Sequence, residues 1–583
     1  MPREPLRIAN CSGFYGDRFS AAREMLEGGP IDVLTGDYLA ELTMFLLWRA
    51  REKDPAGGYA ATFLRQVEEV LGLALDRGVR IVANAGGLNP AGLAARLREL
   101  CGRLGLRARI AHVEGDDLRP RLPALHAAGH VLAHADTGRP FGDAGARAVT
   151  ANAYLGGWGI AEALRGGADV VVGGRIADAS LVVGPAGWHF GWARDDWDRL
   201  AGAAVAGHIL ECGTQATGGN YAFFTEVPDL RRPGFPIAEV FADGSAVITK
   251  HAGTGGLVSV GTVTAQLLYE VEGARYLTPD VVARFDTVRL EADGPDRVRV
   301  SGTRGEPAPA TAKVAIQLLG GYRNGVTLVL TGLDVEAKAA AVVGALRPVL
   351  DACAHADVQL LRTDKPDAPT NEEASAFLRL TVKDPDARKV GRAFSSAVVE
   401  LALASYPGFY ATGPPEDASP YGVYWPALIP AELVEQAVVV DDGRRVPVSA
   451  PPRATTAPGV VPEASVAGPP AGATRRVPLG AAFGARSGDK GGNANVGVWA
   501  RTDAGYAWLA AHLTVPRFQQ LVAEAAPLEV RRYLFPNLRA VNFVVVGLLG
   551  EGAAASSRLD PQAKSLGEYL RSRIVDLPAS LLQ

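Results

Sequence analysis

Short apolar runs alternate with helical patterns through the first two hundred residues. Residues 6–9, 31–35, 79–83, 107–113 and 168–172 are compact apolar stretches, and the last contains Val170-Val171-Val172. Between them, residues 18–27, 38–51, 60–77 and 90–104 place apolar side chains three and four apart, as on a helix face. Asn89 and Pro90 suit the cap and first position of the last of these helices. An apolar strand without alternation belongs inside a parallel sheet covered on both faces. The pattern predicts an α/β fold, with a doubly wound, mostly parallel sheet over residues 1–227.

Beyond residue 228 the period shortens. Residues 237–241, 246–249, 258–268, 288–290 and 298–300 read as strands, with Asp243-Gly244 as a turn between two of them. Strands are expected at 314–319, 327–330, 358–361 and 377–382, and helices at 334–350 and 386–405. A Pro/Tyr-rich loop follows at 406–430. This β-rich and α+β region ends near residue 449. Residues 450–476 repeat Pro, Ala, Gly and Thr and read as a linker. Residues 477–583 form a separate ferredoxin-like α+β domain. Its strands are expected at 477–483, 496–500 and 540–548, its helices at 515–524 and 561–574, and a loop at 485–493.

The strand ends carry the candidate chemistry. The first strand runs into Asn10-Cys11-Ser12-Gly13, the second into Thr35-Gly36-Asp37, the third into Asn84-Ala85-Gly86-Gly87-Leu88-Asn89, and the fifth into Gly173-Gly174-Arg175. Carboxyl ends of parallel strands form one edge of an open sheet, where ligands bind. No turn matches GxGxxG or the P-loop, so neither NAD nor ATP is expected and no cofactor is predicted. Downstream, Glu211-Cys212-Gly213-Thr214-Gln215 and Gly218-Gly219-Asn220 crowd an acid, a thiol, amides and glycines into ten residues. The loop at His251 is similarly rich in glycine.

Composition removes several function classes. Lys+Arg is 59 against 63 Asp+Glu, a net charge of -4, and the basic residues do not cluster among aromatics. Nucleic-acid binding is therefore not expected. The four cysteines are too far apart in sequence for a disulfide framework or a CxxC metal site, and they fit a reducing compartment. The N-terminal residues lack the apolar core of a signal peptide, and no apolar run has the length of a bilayer span. A cytoplasmic protein with no membrane partner is expected.

Three groups of motifs bring a family into view: Asn84-Ala85-Gly86-Gly87-Leu88-Asn89-Pro90; Gly174-Arg175-Ile176-Ala177-Asp178; and Glu211-Cys212-Gly213-Thr214-Gln215, with Gln266-Leu267-Leu268-Tyr269-Glu270. They resemble the acyclic terpene utilisation family AtuA, formerly domain of unknown function 1446. Arg486-Ser487-Gly488-Asp489-Lys490-Gly491-Gly492-Asn493 resembles its accompanying ferredoxin-fold domain. The resemblance implies a place in the breakdown of branched, isoprenoid-like acids carried as acyl-CoA thioesters. It supplies no catalytic residues.

Roles therefore come from residue chemistry. Cys212 is a candidate nucleophile, or else a small buried hydrophobe. Glu211 and His251 are candidate acid–base groups. Asp178 is a further catalytic candidate, to orient a hydroxyl or bind a metal, although capping the next helix is its default role, and Arg175 suits a carboxylate or a CoA phosphate. Asp37 and Glu41 fall on one helix face, although Asp37 also suits an N-cap. Asn10, Ser12, Gly13, Asp37, Asn84, Gly86, Gly87, Asn89, Gly174, Arg175, Gln215, Gly218, Gly219 and Asn220 are the expected substrate-binding set, joined by Asp489 and Lys490 from the C-terminal loop. That loop is expected to cover the sheet edge of its own or a second subunit of a homo-oligomer. His126, His130 and His134 are spaced by four, but Gly129 interrupts them and no HExxH glutamate is present, so no metal is expected. The first expectation is a non-redox hydratase, lyase or thioester hydrolase. Its rival is a non-catalytic acyl-CoA or terpenoid-acid binding protein, or an accessory subunit.

Overall fold

The computed structural model describes residues 4–454, 468–470 and 472–582. Five parallel strands form the centre of the first sheet. In spatial order they are β1 (Leu6–Asn10), β2 (Val33–Gly36), β3 (Arg80–Ala83), β6 (Val170–Gly173) and β4 (Ile110–Glu114). Their pairing aligns Ile8 with Val33, Val33 with Arg80, and Ile81 and Ile110 with Val170. Every residue of β6 is buried, as its run of valines requires.

The helices divide between the faces. α1 (Ala21–Glu27), α3 (Ala61–Asp76) and α4 (Pro90–Leu104) share one apolar core with the sheet. α6 (Trp158–Arg165), α7 (Ser180–Phe190) and α8 (Trp197–Glu211) build the other. The chain thus leaves β3 toward one face and leaves β6, its neighbour, toward the opposite face. Such a reversal opens a crevice at the carboxyl ends of the two strands.

The sheet does not stop at residue 227. β7 (Pro236–Val240) pairs antiparallel with β1, and β8 (Ala246–Lys250), β12 (Val298–Ser301) and β11 (Arg289–Ala292) continue that edge. β19 (Ala437–Val439) and β20 (Arg445–Pro447) extend the other, giving a mixed sheet of 11 strands. A three-stranded sheet joins β9 (Arg275–Leu277), β10 (Val282–Arg284) and β13 (Arg304–Glu306).

A further sheet is organised by β14 (Thr311–Thr331), which spans both strands expected at 314–319 and 327–330, with a bulge between Leu319 and Gly321. It pairs with β5 (Ala148–Ala153), β16 (Ser375–Asp384), β17 (Tyr410–Ala411) and β18 (Ser419–Pro430), and β15 (His355–Leu361) flanks β16. α10 (Val335–Leu350) and α11 (Phe394–Glu400) cover it. α2 (Glu41–Lys53) packs on this sheet and reaches the loop after β3, where Arg51 donates to Leu88 O, and α5 (Leu122–Ala127) is a short surface helix.

The C-terminal domain has four antiparallel strands, β22 (Phe483–Lys490), β23 (Asn493–Ala500), β25 (Ala540–Val545) and β24 (Val530–Phe535), in that spatial order. α12 (Asp503–His512), α13 (Val515–Leu521) and α14 (Leu566–Ser572) share its core. β21 (Thr474–Pro478) pairs with β26 (Ile574–Pro578) alongside.

Five expectations change. The strand expected at 477–483 is instead the end of β21 and the start of β22, separated by a single 3-10 turn at Leu479–Ala481. Residues 258–268 are mainly helix, α9 (Val260–Leu267), because Ser259 and Thr262 form a reciprocal capping box that outweighs the β-branched composition. The helix expected over 386–405 breaks at Gly391, whose φ/ψ of -82/-120 is not helical. Part of the loop at 406–430 is strand. The loop at 485–493 is a hairpin: β22 and β23 pair through Lys490 and Asn493, leaving Gly491-Gly492 as a two-residue turn. Residues 455–467 and 471 of the expected linker lie outside the described residues.

Candidate functional site

Asn84, at the end of β3, ties two strand ends together. Its Oδ1 accepts the Tyr38 N–H at 2.8 Å and its Nδ2 donates to Asp37 Oδ1 at 2.5 Å. Asp37 does not cap α2, which begins four residues later; it also accepts the Leu39 N–H at 3.2 Å. The β6 turn is fixed by buried Asp116, whose Oδ2 accepts the Arg175 N–H at 2.9 Å and the Asn152 amide at 2.8 Å. A Cβ on Gly174 would lie 2.4 Å from both Asp116 carboxylate oxygens, so a side chain there would displace this anchor.

Arg175 is consequently aimed into the crevice and is 2% exposed. Its guanidinium donates to Asp178 Oδ1 and the Tyr154 hydroxyl, both at 3.0 Å, and lies 4.4 Å from the Tyr154 ring centroid. Tyr154 in turn donates to Glu41 Oε1 at 2.9 Å, and Lys313 Nζ of β14 stands 3.9 Å from the same carboxylate. Burial raises the Glu41 pKa, but the Lys313 and Arg175 charges outweigh it and hold the group at about 2. Glu41 and Lys313 retain 30% and 41% side-chain exposure, so this end of the crevice is its mouth.

Glu211, the last residue of α8, lies deeper. Its Oε2 is buried and finds no hydrogen-bond partner among the described residues. Burial and the Asp178 and Glu270 charges push its pKa well up, against Lys490 and Arg175. His208 Nδ1 stands 3.0 Å from Glu211 Oε1, without hydrogen-bond alignment. Burial lowers the His208 pKa to about 4, so the two form a neutral pair rather than an ion pair. The Cys212 thiol is also held protonated, by burial first and then by Glu211 and Glu270.

The C-terminal hairpin closes the far side, within the same chain. Asn495 accepts the Glu270 N–H at 2.8 Å and donates to Val271 O at 3.1 Å; Lys490 Nζ donates to Glu270 O at 2.9 Å. Arg486 bonds Gln215 Oε1 and lies 4.4 Å from the Tyr269 ring centroid. A Cβ on Gly488 would come within 2.3 Å of that ring. Burial and the nearby Asp489 and Glu41 charges raise the Glu270 pKa to about 7. Asp489 rises to about 6, through burial and then Glu41.

The profile of the acyclic terpene utilisation family protein AtuA matches residues 6–440, and that of the AtuA ferredoxin-like domain matches 477–576. The chain belongs to the AtuA family. A search of curated proteins returned no match. Among the described residues of this AtuA chain, no group of three His, Cys, Asp or Glu side chains could hold a metal ion, and no helix is long and apolar enough to cross a membrane.

Measured against the expected set, the AtuA crevice gathers Asp37, Asn84, Gly174, Arg175, Asp178, Glu211, Cys212, Gln215, Asp489 and Lys490. Gly13 packs on the Cys212 backbone and Gly86 on Gly173 O. Other residues serve local structure. Asn10 accepts the Ser12 N–H at 2.8 Å, Ser12 Oγ donates to Phe14 O, and Asn89 caps α4 through the Gly92 N–H. Gly87 packs against Leu47 and Gly58, Gly218 turns against Val227, Gly219 lies against Thr214, and Asn220 takes a left-handed φ of 56°. His251 does not join the acids: its Nε2 lies 2.9 Å from Met25 O and its ring packs on Gly28 and Gly29, because β8 sits two strands beyond β1. The His126–His134 spacing does not lie on one helix, since α5 ends at Ala127.

Tyr154, Glu270 and Lys313 were not singled out as site residues from sequence. Glu270 ends a family motif, which was the available signal; Tyr154 and Lys313 reach the crevice only through the β5–β14 pairing. A separate cavity of about 190 Å³, lined by Ser12, Asp17, Tyr38, Thr62, Arg65 and Gln66, contains none of the convergent acids. The crevice is the better candidate, because its titratable groups perturb one another.

Proposed function

We propose that this AtuA-family protein is an enzyme that moves protons without a redox cofactor, acting as a hydratase or lyase on a branched carboxylic acid or its acyl-CoA thioester. The observation that carries this reading is the buried, unpartnered Oε2 of Glu211. A carboxyl protonated on Oε2 has a hydrogen that no described group receives, His208 standing instead at Oε1 out of hydrogen-bond alignment, which suits a substrate carbonyl or reacting carbon. The Arg175 and Lys490 charges both act on Glu211 and supply positive charge for the oxyanion or carboxylate that develops. Thioester hydrolysis through Cys212 is the weaker form, since its thiol is held away from the thiolate that attacks.

The test compares Glu211→Gln with Cys212→Ser on 3-methylcrotonyl-CoA, its free acid and their hydrated counterparts. Glu211→Gln is expected to lose turnover by about 10²–10⁴-fold while still binding the thioester. Cys212→Ser is expected to retain most turnover. Binding by the wild type without turnover of any probe would favour the accessory binding protein instead.

A further inference from the structure

We infer that Glu270 is a second catalytic residue, the base that pairs with Glu211, and that the C-terminal domain is its positioning device. This inference rests on the proton-transfer reading above.

The backbone carries the first part of the case. Glu270 has a left-handed φ of 58°, a conformation that costs about 1 kcal/mol or more for a residue with a Cβ unless its surroundings enforce it. Here they do. Its N–H is held by Asn495 and its carbonyl by Lys490, both from the C-terminal domain. Asn542 reinforces the grip by donating to Val271 O at 2.7 Å and Glu272 O at 3.0 Å. Asn495 and Asn542 are 0% exposed, so these amides are buried against backbone that another domain presents. Buried amides in strands are costly unless matched, and these are matched by the turn at 270–272.

The charges of Asp489 and Lys490 on β22 and of Glu41 on α2 act on Glu270, Lys490 also bonds its carbonyl, and the adjacent Tyr269 hydroxyl bonds its carboxyl. Its charge also acts on Glu211, His208 and Cys212 at the end of α8. Glu270 therefore lies within electrostatic reach of the proposed acid, at the junction of the two domains.

For a branched α,β-unsaturated thioester the step balances. Glu270 carboxylate takes a proton from water as the water oxygen bonds Cβ. The π pair moves to Cα and the thioester carbonyl, and Glu211 delivers its proton to Cα. The net change is addition of one water. Glu270 ends protonated and Glu211 ionised, and the proton returns between them before the next turnover. Dehydration runs the same steps backwards.

The experiment uses the full chain and two readouts. The first is pH-difference infrared spectroscopy without any ligand. Subtracting Glu270→Gln from wild type is expected to show a carboxyl that titrates near neutrality. In Asn495→Ala, with the backbone grip gone, that titration is expected to move to lower pH. The second is the pH–rate profile with 3-methylcrotonyl-CoA. Glu270→Gln is expected to lose turnover by about 10²-fold or more, with little change in thioester binding. Asn495→Ala is expected to shift the acidic limb downward, which a merely structural loss would not do. Absence of the titrating carboxyl, or an active Glu270→Gln variant, would overturn the inference and leave the Glu211 reading intact. A wild type that shows the carboxyl but turns over none of the probes would overturn the enzyme reading, and the base role with it.

Discussion

At the scale of single residues, Arg175 illustrates how a charge becomes tolerable inside a protein. It is nearly fully buried, yet Asp178, Tyr154 and Glu41 surround it and its backbone is anchored by Asp116. Removing one partner of a buried ionic group leaves the others uncompensated and costs about 3–5 kcal/mol. Arg175→Met is expected to destabilise the chain on that scale, measured by urea unfolding. Arg175→Lys is expected to fall between, because an ammonium cannot reproduce the planar fork or the stacking on Tyr154. Arg175 was legible from sequence because a glycine pair and an arginine followed an all-valine strand. His251 misled for a related reason. Glycine-rich surroundings mark close backbone approach, but Gly255 and Gly256 approach Asp229, Thr217 and Pro233 of the same chain, while the imidazole itself rests on Gly28 and Gly29 at the end of α1.

Elements explain what composition hides. The segment 486–495 looks like a loop because it is polar and rich in glycine, yet most of it is strand. Arg486 and Asn495 face a domain seam, where Asn495 meets main-chain groups of residues 270–271 and Arg486 lies over the Tyr269 ring and bonds Gln215. No pattern of alternating hydrophobicity survives on such a surface, so periodicity could not find it. By contrast, the parallel centre of the first sheet was readable, since strands covered on both faces need unbroken apolar runs. The hairpin gives a sharp test of the seam. Gly488→Ala drives a methyl toward the Tyr269 ring, an overpacking that costs about 1–3 kcal/mol. Its expected effect is on docking: limited proteolysis should release the C-terminal domain sooner than in wild type, while the isolated-domain signature in circular dichroism stays unchanged. Equal proteolysis rates would mean that the ring swings aside and the seam is looser than drawn.

For the whole molecule, buried Asp116 and the half-buried acids at the domain seam set how stability depends on pH. Glu270 rises from an ordinary 4.5 to about 7, and Asp489 and Asp116 rise from 3.8 to about 6. A carboxyl with a raised folded pKa binds its proton more tightly in the native state. Its penalty is absent below the unfolded value and grows as pH climbs to the folded one. These three groups therefore make the fold less stable between about pH 4 and pH 7 as alkali is added. His208 works the other way, because its folded pKa of about 4 lies below the ordinary 6.5, and stability is lost as pH falls through that interval. Glu41, held at about 2, adds loss only below about 4.5. These raised acids, with Glu211 beside them, outweigh the one depressed histidine in the overlapping range, so maximal stability is expected near about pH 4 rather than at neutrality. Thermal midpoints across about pH 3–8 check this, and Glu270→Gln should gain on wild type progressively from about pH 4.5 to 7 and then hold a constant advantage. A wild-type optimum at pH 7–8, with no such gain in the variant, would mean that water or a ligand reaches Glu270 in solution and that the acid-rich crevice is better solvated than its burial implies.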